Sequence, residues 1–213
     1  MRNFIIIGHR AVTNENFTLN DLPGSSGRMD VLARCINSAF QLSHDIRRDV
    51  EVAIILLGPN DPPKTIRFCG SELKYLNPDE RSTGALIRNA LIKFSSMEQP
   101  PNENTTNDNF LLGEIKASPG IYISKNSLPE ILKFYSKDST MVNLNETGED
   151  ISKTKIENDS GNISFILSDD MDFTTEEEKL VEKHSQLKIC VSPKVLHSDH
   201  CIIIIHNFLD KLE

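Results

Sequence analysis

Residues 163–191 read ISFILSDDMDFTTEEEKLVEKHSQLKICV, and the fold class turns on how this stretch divides. Ile163–Leu167 is a short apolar run broken only by Ser164, the signature of a buried strand. Thr174-Thr-Glu-Glu177 matches a capping box, with Thr174 as N-cap and Glu177 at the third helical position. The helix it opens extends to Ser185, and Leu187–Val191 returns to strand. Strand, helix and strand in immediate succession are the unit of an α/β protein.

The same alternation extends outward from this unit. Phe4–Ile7, Lys64–Phe68, Ile121–Ile123 and Met141–Leu144 are further short strands. Glu51–Leu57, almost unbroken in apolar residues before Gly58-Pro59, reads as a strand buried on both faces. Helices are expected over Arg28–Ser43, where Leu32, Cys35, Ile36, Ala39 and Phe40 share one face, and over Pro78–Lys93 and Ser127–Tyr135. Ser25 or Ser26, in the turn Pro23–Gly27, is the expected N-cap of the first. Cys201–Leu212 reads both ways: its four consecutive isoleucines favour strand, while the spacing of Ile202, Ile205, Phe208 and Leu209 favours helix. Ser95–Asn109 holds one apolar side chain, Met97, and a Pro-Pro pair, so a flexible insertion is expected over 95–116 of a single domain. Residues 145–162 are nearly as polar and read as a second loop.

With 213 residues, 38% of them hydrophobic, the chain buries a real core without staples. The net charge of −8 argues against a surface that binds nucleic acid everywhere. The charge is unevenly distributed. All nine arginines lie between Arg2 and Arg88, and residues 1–94 carry 12 basic against 10 acidic groups. Residues 95–213 carry 11 lysines against 21 acids. Arginine's planar fork suits phosphate and base contact, so the first half is the candidate nucleic-acid face. Cys201–Ile205 is far shorter than the roughly 20 residues of a membrane span, and the N-terminus lacks a signal-peptide pattern. Cys35, Cys69, Cys190 and Cys201 form no CxxC pair, which fits free thiols in a reducing cytoplasm.

Neither a Walker loop nor GxGxxG is present. The densest polar constellation is Ser192–Cys201. His197, His200, Cys201 and His206 offer zinc-type donors, but their spacing matches no recognised site, and capping or core-edge histidines are the simpler reading. Gly24-Ser-Ser-Gly-Arg-Met-Asp30 presents backbone N–H groups before a helix, an arrangement suited to an anion. Arg28 sits at that turn, and Arg47 and Arg48 lie past the helix's far end, where cations suit its dipole.

The stretches LPGSSGRMDVLARCINSAFQLSHDIRRDV (22–50), FCGSELKYLNPDER (68–81), SPGIYIS (118–124) and SPKVLHSDHCIIIIHNFLD (192–210) carry a resemblance. In this order they resemble the TrmY family, tRNA pseudouridine(54) N1-methyltransferases of the SPOUT superfamily. The resemblance implies a SPOUT-type α/β fold with a deep C-terminal trefoil knot, acting as a homodimer. It implies S-adenosyl-L-methionine (SAM) bound among the knot loops, no metal and no membrane, and a target in the T-loop of tRNA. It also makes the final segment a helix.

Carried over by motif, the expected cofactor contacts are Leu144, Ser168, Val191, Leu196 and Cys201. Asp30 becomes the candidate base or orienter, Arg28 the holder of the base edge or phosphate, and Arg47 and Arg48 the grip on the tRNA backbone. Two departures stand out. Leu167-Ser-Asp-Asp170 replaces the family's Leu-Gly-Asp-His, and Val191-Ser-Pro-Lys194 replaces Leu-Gly-Pro-Lys. A serine forced into a glycine conformation would strain either turn by on the order of 1 kcal/mol. Three alternatives follow: a relative that binds RNA but has lost methyl transfer, a methyltransferase acting on pseudouridine in ribosomal RNA, and a zinc hydrolase built on His197, His200 and Cys201.

Overall fold

The computed structural model describes residues 1–97, 111, 113–154 and 161–212. At its centre is β1 (Arg2–Gly8), buried along its whole length because parallel strands flank it on both sides. Those neighbours are β2 (Val50–Leu56) and β7 (Ile163–Ser168). Beyond β7 lie β6 (Thr140–Asp150) and β8 (Leu187–Cys190), also parallel. On the other side of β2, β3 (Lys64–Cys69), β5 (Ile121–Ser124) and β4 (Ile115–Ser118) continue the sheet antiparallel. The order is β4-β5-β3-β2-β1-β7-β6-β8.

Side chains alternate across the sheet, and each face buries one set. Phe4, Ile6, Val52 and Ile54 pack under α2 (Met29–Phe40), α3 (Glu80–Ser95) and α6 (Ser198–Asp210). Ile5, Ile7, Ala53 and Ile55 pack under α4 (Leu128–Tyr135) and α5 (Thr175–His184). The final segment is therefore helical, as the resemblance implied. Ile202 and Ile205 are fully buried, each contributing roughly 1.5–3 kcal/mol, which overrides the strand propensity of the isoleucine run.

Three local expectations need correction. The turn before α2 is itself one helical turn, α1 (Leu22–Ser25), whose cap is Asp21 accepting from the Gly24 amide at 3.0 Å. Neither Ser25 nor Ser26 caps α2; Arg28 holds that position in the left-handed region. Residues 145–150 belong to β6 and not to a loop: 145–148 bulge from the ladder, and Glu149 and Asp150 rejoin β8. Similarly, the end of the expected 95–116 insertion is ordered: Leu111 is buried and Ile115 begins β4. The remainder of that insertion, 98–110 and 112, lies outside the described residues.

Polar groups are also built into the sheet. Arg67 on β3 donates to Glu51 on β2 at 2.7 Å and, through both ends of its fork, to Glu114 at 2.9 and 2.6 Å. The Tyr135 hydroxyl on α4 donates to the other Glu51 oxygen.

Candidate functional site

β1, β7 and β8 all end on the same side of the sheet, at Gly8, Ser168 and Cys190. At that level β6 bulges: Leu144 and Glu149 both pair with Ile189, so residues 145–148 leave the ladder. Gly148 lies flat on β8, where a Cβ would sit 2.6 Å from backbone atoms of Ile189. The segments Leu144–Thr147, Leu167–Phe173 and Cys190–Ser198, with Cys201, wall a cavity of about 570 Å³. A crevice beyond the carboxyl ends of parallel strands is where open α/β sheets bind ligands. Leu144, Ser168, Val191, Leu196 and Cys201 all line it.

The two serine departures carry no backbone strain. Arg28 is the one non-glycine residue with positive φ among the described residues, so neither Ser168 nor Ser192 occupies a glycine-type conformation. The Ser168 hydroxyl donates to the Met171 carbonyl within its own loop, and Ser192 Oγ accepts from the Lys194 amide at 3.1 Å. Ser198 Oγ donates to the Ser168 carbonyl at 2.6 Å and pins the start of α6 to the end of β7. Burial, reinforced by the negative charge of Asp199, pushes the Cys201 thiol up to about 11, so it stays protonated and is a poor nucleophile. The zinc donors do not converge. His197 and His200 meet ring edge to ring face, while His206 lies under α2 against the Ala39 carbonyl. Among the described residues no group of three or more potential ligands has metal-site geometry.

A chain of ion pairs runs from the cavity wall toward α2. His9, just past β1, engages Asp169 through its backbone N–H at 2.8 Å and through Nδ1 at 2.9 Å. Its Nε2 meets Glu177 Oε2 at 3.0 Å. Arg10 and Arg28 both donate to Asp170, the latter at 3.2 Å. Arg28 also clasps Asp30 with two 3.0 Å bonds, and Arg34 adds a third at 3.0 Å while reaching Glu80 at 3.1 Å. Burial alone would raise the Asp30 carboxyl, but hydrogen bonds from Arg28 and Arg34 outweigh it and hold it below its usual range. Its oxygens are thus occupied and weakly basic. Backbone geometry fixes this corner: Gly27 and Arg28 have φ of 65° and 70°, and a Cβ on Gly27 would meet the Arg10 carbonyl at 1.8 Å.

Arg47 and Arg48 lie elsewhere. The Arg47 amide bonds Phe40 at the far end of α2, and Asp49 bonds Arg2 at the start of β1. Strand β1, at about 3.3 Å per residue, puts roughly 20 Å between that end and the cavity. Arg47 forks onto Asp210 of α6 at 3.0 and 2.5 Å, and Arg2 joins at 2.5 Å, so that carboxyl falls to about 2. Arg48 donates to the Leu73 and Gly70 carbonyls and to Asp45. His206, lowered to about 4 by burial, is neutral; it accepts from Arg2 at Nδ1 and donates from Nε2 to Ala39.

His9, Arg10, Arg34, Asp169 and Asp170 are members of this site that composition and spacing did not single out. Their sequence signals are position, immediately after the strands ending at Gly8 and Ser168 or one turn along α2 from Asp30, and for Asp169 and Asp170 the Leu-Ser-Asp-Asp departure that contains them.

A family model described as "Putative SAM-dependent RNA methyltransferase" matches residues 1–213. The chain is 45% identical to a tRNA (pseudouridine(54)-N(1))-methyltransferase of Methanococcoides burtonii, over 99% of this chain and 96% of the relative. It is 42% identical to the protein of the same name from Haloferax volcanii, again over 99% and 96%. Among solved structures it is similar in fold to Archaeoglobus fulgidus Nep1 bound to S-adenosylhomocysteine, with a TM-score of 0.59, 10% identity, and coverage of 99% of this chain and 98% of that one.

Proposed function

The chain belongs to the family of SAM-dependent RNA methyltransferases, and we propose that it methylates N1 of pseudouridine 54 in tRNA. The observation that carries this reading is the cavity at the strand ends, walled by the bulge of β6 and the segments that follow β7 and β8. About 570 Å³ is within the range of small-molecule sites and suits a nucleoside-sized cofactor. With Asp169 and Asp170 held by His9, Arg10 and Arg28 and Glu178 near Lys188, its lining leaves Glu146 and Asp172 against Lys194, a balance that leans toward a cationic ligand. Leu144, Ser168, Val191, Leu196 and Cys201 would hold the cofactor, chiefly through main-chain groups. When bound, SAM supplies a methyl group activated by its sulfonium charge.

The remaining work falls to this chain's own residues. Pseudouridine exposes an N1–H that uridine lacks, and that nitrogen must be held in line with the methyl group and lose its proton. Arg28 stands between the cavity residue Asp170 and Asp30, so it is suited to hold the base edge or its phosphate. Asp30 acts as the orienter of Arg28 and Arg34, its own lone pairs being taken up by them. A splayed loop base reaches such a site more easily than a stacked one.

Two architectural features complete the reading. The 190–198 segment, which shares the cavity wall with the 144–147 bulge of β6 and with the 167–173 segment before α6 begins, supports a C-terminal trefoil knot. Arg47 and Arg48, remote from the cavity of their own subunit, grip tRNA held in the site of a partner in a homodimer. Val195, 80% exposed beside the cavity, and Ile203, 52% exposed on α6, are apolar surface suited to that contact.

Calorimetric titration of SAM, followed by methylation of tRNA carrying either pseudouridine or uridine at position 54, tests the proposal. One cofactor per chain and turnover of the pseudouridine substrate alone are expected. No cofactor binding would leave an RNA-binding relative, and turnover of ribosomal RNA fragments in preference to tRNA would reassign the substrate.

A further inference from the structure

His9 is not among the residues that line the cavity, yet it ties the start of the cavity's most acidic wall to the helix just past that wall's end. That wall is the loop Asp169–Phe173, between β7 and α5. At its start, Asp169 is gripped twice, by the His9 backbone N–H and by the ring. Past its end, Glu177 Oε2 meets the other ring nitrogen while also accepting from the Thr174 amide at 2.8 Å and hydroxyl at 2.9 Å. Glu177 thus closes the capping box of α5 and receives the strap with the same oxygen. A ring that bonds a carboxylate at each nitrogen donates from both, which only the imidazolium does. Side chains of His9 and Asp169 are 9% and 2% exposed, so these are sheltered, charge-assisted bonds.

We infer that His9 is a positioning residue for the cofactor site, a cationic strap that fixes the Asp169–Phe173 wall between β1 and α5. The inference rests on the reading of the cavity as the SAM site. Asp169 from the loop and Glu177 from α5 are the ionisable groups bonded to the ring; Arg10 and Arg28 pair with Asp170 instead. Hydrogen bonds and charge from Asp169 and Glu177, acting against burial, raise the ring to about 9, so the strap is closed at neutral pH and opens above that value.

His9→Gln keeps one donor and removes the charge. It is expected to raise KM and Kd for SAM roughly 10-fold to 100-fold, the scale of a lost charge-assisted bond, with kcat and tRNA affinity within about twofold. The ratio of variant to wild-type Kd cancels the cofactor's own titration; it should be constant at neutral pH and shrink toward one as pH passes about 9. Glu177→Gln keeps the capping box and tests the strap without threatening the fold, with an expected Kd rise of a few-fold. The double variant H9Q/E177Q, which removes the uncompensated carboxylate, should recover part of the loss. A wild type that binds SAM and an H9Q that binds equally well would overturn the strap alone. A loss of kcat at unchanged KM, or no recovery in the double variant, would overturn it too. A wild type that binds no SAM would overturn the reading of the cavity and the strap with it.

Discussion

Asp30→Asn is expected to slow methyl transfer about 100-fold at saturating substrates while tRNA affinity stays within a few-fold, because misorienting a positioning group costs rate before binding. Asp30 is 3% exposed and its two oxygens accept three hydrogen bonds, two from Arg28 and one from Arg34. An asparagine of the same shape presents an NH2 to one of those guanidiniums, which must turn away. Arg28 then keeps Asp170 as its partner, 3.2 Å away at the cavity wall, and leaves the position proposed for holding the base. Single-turnover methylation of pseudouridine-containing tRNA measures the rate, and filter binding measures the affinity. Thermal denaturation checks that the corner still folds. A turnover equal to wild type would remove Asp30 and Arg28 from the reaction; a parallel loss of affinity would make them RNA contacts alone.

How much of this arrangement the sequence discloses depends on the range of the interactions. The βαβ unit over 163–191 is legible because its signals are local: the Thr174–Glu177 box, the apolar runs on either side, and the helical period between them. Ile202–Ile205 is not legible locally, since only burial against α2 and the sheet decides helix over strand. Strand β4 and the 145–150 half of β6 escape for a related reason, being short or polar strands sustained by their neighbours β5 and β8. At the site, Leu144 at the break in β6, Ser168 at the end of β7, Val191 and Leu196 in the loop after β8, and Cys201 in the first turn of α6 come together, positions a family pattern can carry. The partners of the charged residues do not show in sequence. His9 and Asp169 are 160 positions apart, and Arg47 and Asp210 are 163 apart. Arg47 is visible in sequence as a candidate phosphate ligand, but Asp210, the carboxylate that orients it, is supplied only by the fold.

Arg67→Met should be the most destabilising of these changes, because it strands two carboxylates in the sheet. Breaking a buried ion pair from one side costs about 3–5 kcal/mol, and here one guanidinium serves both Glu51 and Glu114, with side-chain exposures of 5%, 10% and 1%. Burial already raises the Glu114 carboxyl despite Arg67 beside it. A carboxyl that binds its proton more tightly when folded than unfolded loses stability as pH rises from its unfolded value of about 4.3 upward. Removing Arg67 widens that window, since the remaining neighbour, Glu51, is of like charge. The variant should therefore lie nearest to wild type at about pH 5 and fall progressively below it toward pH 8, as measured by urea midpoints across that range. Glu114→Gln added to Arg67→Met should recover much of the loss at pH 8 and little at pH 5. A deficit independent of pH would mean that the lost stacking of the guanidinium on the Tyr122 ring, 4.8 Å from its centroid, outweighs the two stranded carboxylates.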